Sequence, residues 1–179
     1  MPKRDEIIYF LDSSALIAMQ NELWPMKHFP VVWANINDLA DAGRLLVFEA
    51  VKDECDDEEL VRWFVEHPNV LIGPSSEIEN CMKRLMQDLQ SRKRKLVDYE
   101  SRESDADSFV IACAMAHNLI DSGSFASGRY VLVQHEGSAR SSPTRVKIPD
   151  VCDWYGIKYM KALNIVKEEN WIFCDTKGL

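Results

Sequence analysis

The run Ile7-Ile8-Tyr9-Phe10-Leu11 is apolar on both faces of an extended chain and stops abruptly at Asp12. A strand that must bury both faces belongs in the middle of a parallel sheet, with helices above and below it. Two further runs have the same character, Leu45-Leu46-Val47-Phe48 and Arg129-Tyr130-Val131-Leu132-Val133. Helix-like segments separate them, so the connections are expected to be βαβ crossovers. The expected fold is one α/β domain over residues 1–179: a three-layer α/β/α arrangement around a mainly parallel sheet of about four to five strands. The C-terminal ends of the three runs then share one edge.

The intervening segments carry their own start and stop signals. Ser13-Ser14 can cap a short helix through Met19, and Val32, Trp33, Ile36 and Leu39 stand at helical spacing ahead of a stop at Gly43. A single helical segment is expected from Ala50 through Phe64, broken at Pro68-Asn69. Val70-Leu71-Ile72 reads as a short extended piece, and Ser75 opens a long polar helix that ends in Arg92-Lys93-Arg94-Lys95. Ser104 and Asp107 have capping-box spacing before Phe109–Ala116, which is apolar nearly all round. Pro149 can start a helix, and Gly156 separates it from a short last strand at Ile157-Lys158-Tyr159-Met160.

Composition narrows the function classes. The net charge of -8 opposes a nucleic-acid footprint spread over the whole surface, so any phosphate contact must be local. The basic cluster Arg92, Lys93, Arg94 and Lys95 is the candidate for such a contact; its bland reading is a solvated helix end. Apolar runs fall far short of a membrane span, and the N-terminus lacks the features of a secretory signal, so no membrane partner and a cytoplasmic location are expected. Cys55, Cys81, Cys113, Cys152 and Cys174 are scattered without C-x-x-C pairs and read as reduced thiols. The five tryptophans sit among apolar neighbours and read as core or interface anchors before base-stacking platforms.

The chemistry lies in the acids. Asp12 and Glu136 stand just beyond two of the buried strands, Glu54 follows the third by one or two helical turns, and Asp107 begins the buried helix. In open α/β sheets this edge is where ligands bind. Four carboxylates from separated segments suit a hard divalent cation, Mg²⁺ or Mn²⁺, which takes oxygen ligands and relieves their mutual repulsion. Water activated by such an ion can attack a phosphodiester in line, without a covalent protein intermediate.

Each acid also has a plainer reading. Asp12 can simply cap the following helix. Glu54 has Asp53, Asp56, Asp57, Glu58 and Glu59 as neighbours on a solvated face, and Asp105 competes with Asp107 two residues away. Asp150 is an additional candidate ligand brought up by its Pro149 turn, or an exposed acid favoured at a helix start by the macrodipole. His135 stands beside Glu136 but is left out of the core site, because a metal-dependent hydrolase needs no separate base.

Three segments together resemble the PIN-domain family, in that family's order: Tyr9-Phe10-Leu11-Asp12-Ser13-Ser14, Val51-Lys52-Asp53-Glu54, and Ala106-Asp107-Ser108-Phe109-Val110-Ile111-Ala112. A fourth stretch, Val131–Glu136 followed by Lys147–Cys152, is similar to a bacterial PIN-like branch of unassigned function. The resemblance implies that Asp12, Glu54 and Asp107 are the core metal-binding acids and that Glu136 stands for the fourth. It further implies an RNA substrate, an endoribonuclease activity of the toxin in a bacterial toxin–antitoxin pair, a cognate antitoxin partner, and homodimerisation. The fourth motif departs from the pattern: many members place Thr or Ser two residues before an Asp, where this chain has Gln134 and Glu136.

Two other readings compete. Phe10-Leu11-Asp12 after a buried strand also suits an aspartate-nucleophile phosphatase of the haloacid dehalogenase type, but that family requires a second Asp where Ser14 stands. The altered fourth motif keeps open a catalytically silent PIN-like module that binds RNA or a protein partner.

Overall fold

A computed structural model describes residues 6–96, 106–125, 129–135, 137 and 145–173. Five parallel strands form the main sheet: β1 (Ile8–Leu11), β2 (Leu45–Phe48), β3 (Leu71–Ile72), β5 (Tyr130–Val133) and β7 (Tyr159–Met160), in the order β3-β2-β1-β5-β7. β1 lies at the centre with all four residues buried, as its two-sided apolar character requires. Lys95–Leu96 (β4) and Arg145–Val146 (β6) pair in a separate two-stranded parallel ribbon.

The helices are α1 (Ser13–Ala18), α2 (Pro30–Asp41), α3 (Glu49–Asp53), α4 (Glu58–Glu66), α5 (Ser76–Ser91), α6 (Ala106–Ser122), α7 (Ile148–Tyr155) and α8 (Leu163–Glu168). α1 runs directly into a π-helical turn over Met19–Leu23. Gly43 and Gly156 take positive φ of 69° and 66°, the left-handed conformation that ends a helix at least cost on glycine. α6 is buried along most of its length, and its rings mark the sheet face it covers: Phe109 stacks on Phe48 at 4.7 Å, and His117 lies 5.2 Å from Phe10. Burial lowers the His117 pKa, so this ring favours the neutral form.

On the opposite face the Tyr9 hydroxyl donates to Glu169, just past α8. Glu169 also accepts from both terminal nitrogens of Arg44, at 2.8 and 2.6 Å. This partly buried, forked ion pair ties the end of α8 to the start of β2.

Two expectations need correction. The segment expected as one helix from Ala50 to Phe64 is two helices, because Asp57 caps a new one by accepting from the backbone N–H groups of Glu59 and Leu60 at 2.9 and 3.1 Å. The long helix ends in the basic run as expected: α5 stops at Ser91 with Arg92 as its C-cap, Lys93 takes φ 53°, and Lys95 goes on into β4. Asp150 is not exposed, with 7% of its surface accessible, and its Oδ2 accepts from the backbone N–H of Lys147 at 2.9 Å. Ser104 lies outside the described residues, so its capping box with Asp107 does too.

Cys55, Cys81, Cys113 and Cys152 are buried free thiols, and Cys174 lies outside the described residues. Among the described residues no helix is long and apolar enough to cross a membrane.

Candidate metal centre at the sheet edge

Asp12 is the first residue past the central strand, and it is 1% exposed. Its backbone is still extended, with φ -86° and ψ 159°, and it serves as N-cap of α1. The two carboxylate oxygens have different lives. Oδ2 accepts from the backbone N–H of Ser14 at 3.2 Å and from the Ser14 hydroxyl at 2.6 Å. Oδ1 is buried and has no hydrogen-bond partner among the described residues. The helix-capping role and an unmet demand for a positive partner therefore reside in one side chain.

Burial pushes the Asp12 carboxyl up to about 6, the Ser14 hydrogen bonds pull it back, and the charge of Glu54 adds to the rise. Glu54 is half-buried at the C-terminal end of α3. The intervening Cys55 thiol reports the same concentration of negative charge, since burial and then Glu54 and Asp12 push it up to about 12. Glu54 is thus the member of its acidic run that acts on Asp12, whereas Asp57 caps α4 and Glu59 accepts from Gln20 at 2.5 Å.

The Ser14 hydroxyl is a junction. While donating to Asp12 it accepts the backbone N–H of His135 at 3.0 Å, fastening the end of β5 to the end of β1. Gln134, between β5 and His135, is 2% exposed, and its Oε1 has no hydrogen-bond partner among the described residues. His135 Nδ1 is likewise buried and without a partner among the described residues, while Nε2 lies 3.7 Å from a Glu22 carboxylate oxygen of the π-helical turn. Gln134 carried no role in the sequence reading beyond marking a departure; the available signal was its parity with Leu132 along β5.

Asp107 is half-buried in the first turn of α6. It opens onto a cleft of about 380 Å³ whose other walls include Gln90, Arg94, Lys95 and Ser108. Two of the four candidate RNA-binding cations thus share a cleft with a candidate metal ligand. Arg92 is used differently, with its guanidinium 4.5 Å above the Trp154 ring. Glu136 lies outside the described residues, as does Asp105. Among the described residues no three Asp, Glu, His or Cys side chains are gathered into a ready cage for an ion. The donors that are placed, a buried carboxylate with a bare oxygen and a second carboxylate acting on it, fit a hard cation.

Residues 9–173 match the family described as a domain of unknown function, DUF4411. The chain belongs to this family. Among solved structures, this DUF4411 chain is similar to a chain of the crystal structure of VapBC2 from Rickettsia felis bound to a DNA fragment from their promoter. The TM-score is 0.51 at 14% identity, covering 87% of this chain and 98% of that one. With the parallel sheet and its flanking helices, the likeness makes this DUF4411 fold PIN-like, of the VapC type. No curated protein matches the sequence.

Proposed function

We propose that this protein is a divalent-metal-dependent endoribonuclease, the toxin of a bacterial toxin–antitoxin pair. One observation carries the catalytic half: a carboxylate at the C-terminal edge of the central strand is buried, with one oxygen unpartnered among the described residues and a second acid acting on it. Isolated burial of a charge is costly unless it is paired or bound to a metal. Asp12, Glu54 and Asp107 would hold Mg²⁺ or Mn²⁺, with Glu136 as fourth acid and Asp150 as a candidate addition whose Oδ2 is engaged at the start of α7. When bound, the ion supplies Lewis-acid chemistry that makes water nucleophilic enough for phosphodiester hydrolysis.

The chain's own part is to arrange donors and substrate. Ser14 holds the Asp12 carboxylate in one orientation, so the unpartnered oxygen has a fixed direction. Arg94 and Lys95 give the cleft at Asp107 a local positive wall in a chain of net charge -8, the kind of local contact a nucleic-acid backbone requires. The toxin half rests on the motif resemblance, with support from the PIN-like fold shared with a VapBC2 chain, and it brings an antitoxin protein and a homodimer as expected partners.

The test is cleavage of single-stranded RNA by purified protein with Mg²⁺ or Mn²⁺, beside EDTA and the Asp12→Asn and Asp107→Asn variants. Cleavage by wild type that disappears in all three controls is the expected result. A folded wild-type protein that neither cleaves RNA nor binds divalent ions would overturn the reading in favour of a silent module for RNA or a protein partner.

A further inference from the structure

The hydrogen bonds between β1 and β5 extend beyond the apolar runs. Ile8 faces Tyr130 and donates its N–H to the carbonyl before it, that of Arg129, at 2.9 Å. Asp12 repeats the pattern one full strand later, donating to the Val133 carbonyl at 2.9 Å. The register Leu11 to Val133 therefore continues to Asp12 opposite Gln134. Adjacent strands lie about 4.8 Å apart, and partners in register project from the same sheet face. For this pair it is the face of Phe10 and Leu132, the one covered by α6.

Both side chains are nearly inaccessible, at 1% and 2% exposure, and each has a buried oxygen without a hydrogen-bond partner among the described residues, Asp12 Oδ1 and Gln134 Oε1. Two such acceptors on neighbouring strands, on one face and at one edge, share a single deficiency: neither has a hydrogen-bond partner among the described residues. A hydrogen bond between them cannot remedy it while Asp12 is ionised, because both atoms only accept.

Resting on the metal-centre reading above, we propose that the Gln134 amide oxygen is a ligand of the same divalent cation as Asp12. Carbonyl oxygens of Asn and Gln are ordinary ligands of hard cations, and a neutral one completes a coordination shell without adding to the repulsion between Asp12 and Glu54. This gives the departure at the fourth motif a function. The position holds a longer side chain than Thr or Ser, and its reach lets a neutral oxygen approach from β5.

The experiment is titration of the full chain with Mn²⁺, read by calorimetry and by the electron paramagnetic resonance of free Mn²⁺, for wild type, Gln134→Leu and Gln134→Glu. Leucine keeps most of the volume and removes the oxygen; glutamate keeps the oxygen and adds charge. We expect Gln134→Leu to bind Mn²⁺ about ten-fold or more weakly and Gln134→Glu to bind it more tightly than wild type. Thermal melts without metal serve as the folding control: Gln134→Leu should melt at or above the wild-type temperature, since it removes an unsatisfied buried oxygen. Wild-type Mn²⁺ affinity in a folded Gln134→Leu protein overturns the assignment of Gln134 and leaves the metal centre standing. Absence of Mn²⁺ binding by wild type overturns both.

Discussion

The Ser14 hydroxyl lies 2.6 Å from Asp12 Oδ2 and 3.0 Å from the backbone nitrogen of His135, donating to the first and accepting from the second. One oxygen atom thus orients the buried acid and joins the ends of two neighbouring strands. Replacing it tests both duties. Ser14→Ala should cost about 1.5–3 kcal/mol at pH 7, the range for a hydrogen bond to a charged group. It should also raise the Asp12 pKa further, because a bond that favours the ionised form is lost. Denaturant melts and carbon NMR of the Asp12 carboxyl measure the two effects. Ser14→Thr, which keeps the hydroxyl, should restore both, and failure to do so would mean that packing rather than the bond matters.

Asp12 gives the metal-free protein a particular pH dependence. Its folded-state pKa of about 6 stands above the ordinary 3.8, so between these values the folded chain holds more protons than the unfolded one. Stability from this group is full below about 4, falls as pH rises towards about 6, and is level above that. Asp12→Asn removes the burdensome charge and should be more stable than wild type at pH 7 by up to about 3 kcal/mol, with the difference vanishing near pH 4. Urea melts at the two pH values in EDTA decide this. Equal gaps at both would show that ionisation is not the cause. Added Mg²⁺ or Mn²⁺ should stabilise wild type and leave Asp12→Asn unmoved.

The basic run divides into two kinds of cation. Arg94 and Lys95 line the Asp107 cleft, whereas Arg92 lies over Trp154. The double variant Arg94→Ala, Lys95→Ala should lower the salt dependence of single-stranded RNA binding by about 1.4 in the log–log slope, two phosphate contacts' worth. Arg92→Ala should instead cost about 0.5–1 kcal/mol of stability and change the slope less. Fluorescence anisotropy over a salt series, with melts alongside, separates them. Equal slope changes for the double and single variants would refute the division.

The frame of this fold was legible because parallel strands buried on both faces are spelled in unbroken apolar runs. β2 falls at Leu45–Phe48 as expected, and β1 and β5 differ from expectation by one residue at their first ends. Elements stabilised by partners distant in sequence were not legible. β4 and β6 are two-residue pieces that exist only by pairing with each other, and α8 carries six residues with one buried side chain. The split between α3 and α4 turned on Asp57, an acid that among so many acids reads as surface until its two backbone donors are seen.

The candidate site was legible in the same uneven way. Position after a strand marked Asp12, but nothing local distinguishes the oxygen that caps α1 from the one that has no partner. Glu54 stands out from its neighbours only through its charge effect on Asp12 across the fold. Gln134 was visible as a departure from a motif; its meaning depends on register, which a single sequence does not contain. Asp150 was read either as an added ligand or as an exposed helix-start acid, and the second reading misses that it is buried with a backbone partner.

The contact between Ser14 and His135 spans 121 positions of chain. At ordinary rates of protein synthesis that stretch takes roughly 6 to 24 s to make. Throughout that interval the growing chain already carries Ser14 but lacks the backbone N–H that its hydroxyl accepts. The tie between the ends of β1 and β5 is therefore something a newborn chain can acquire only late, once β5 has been made.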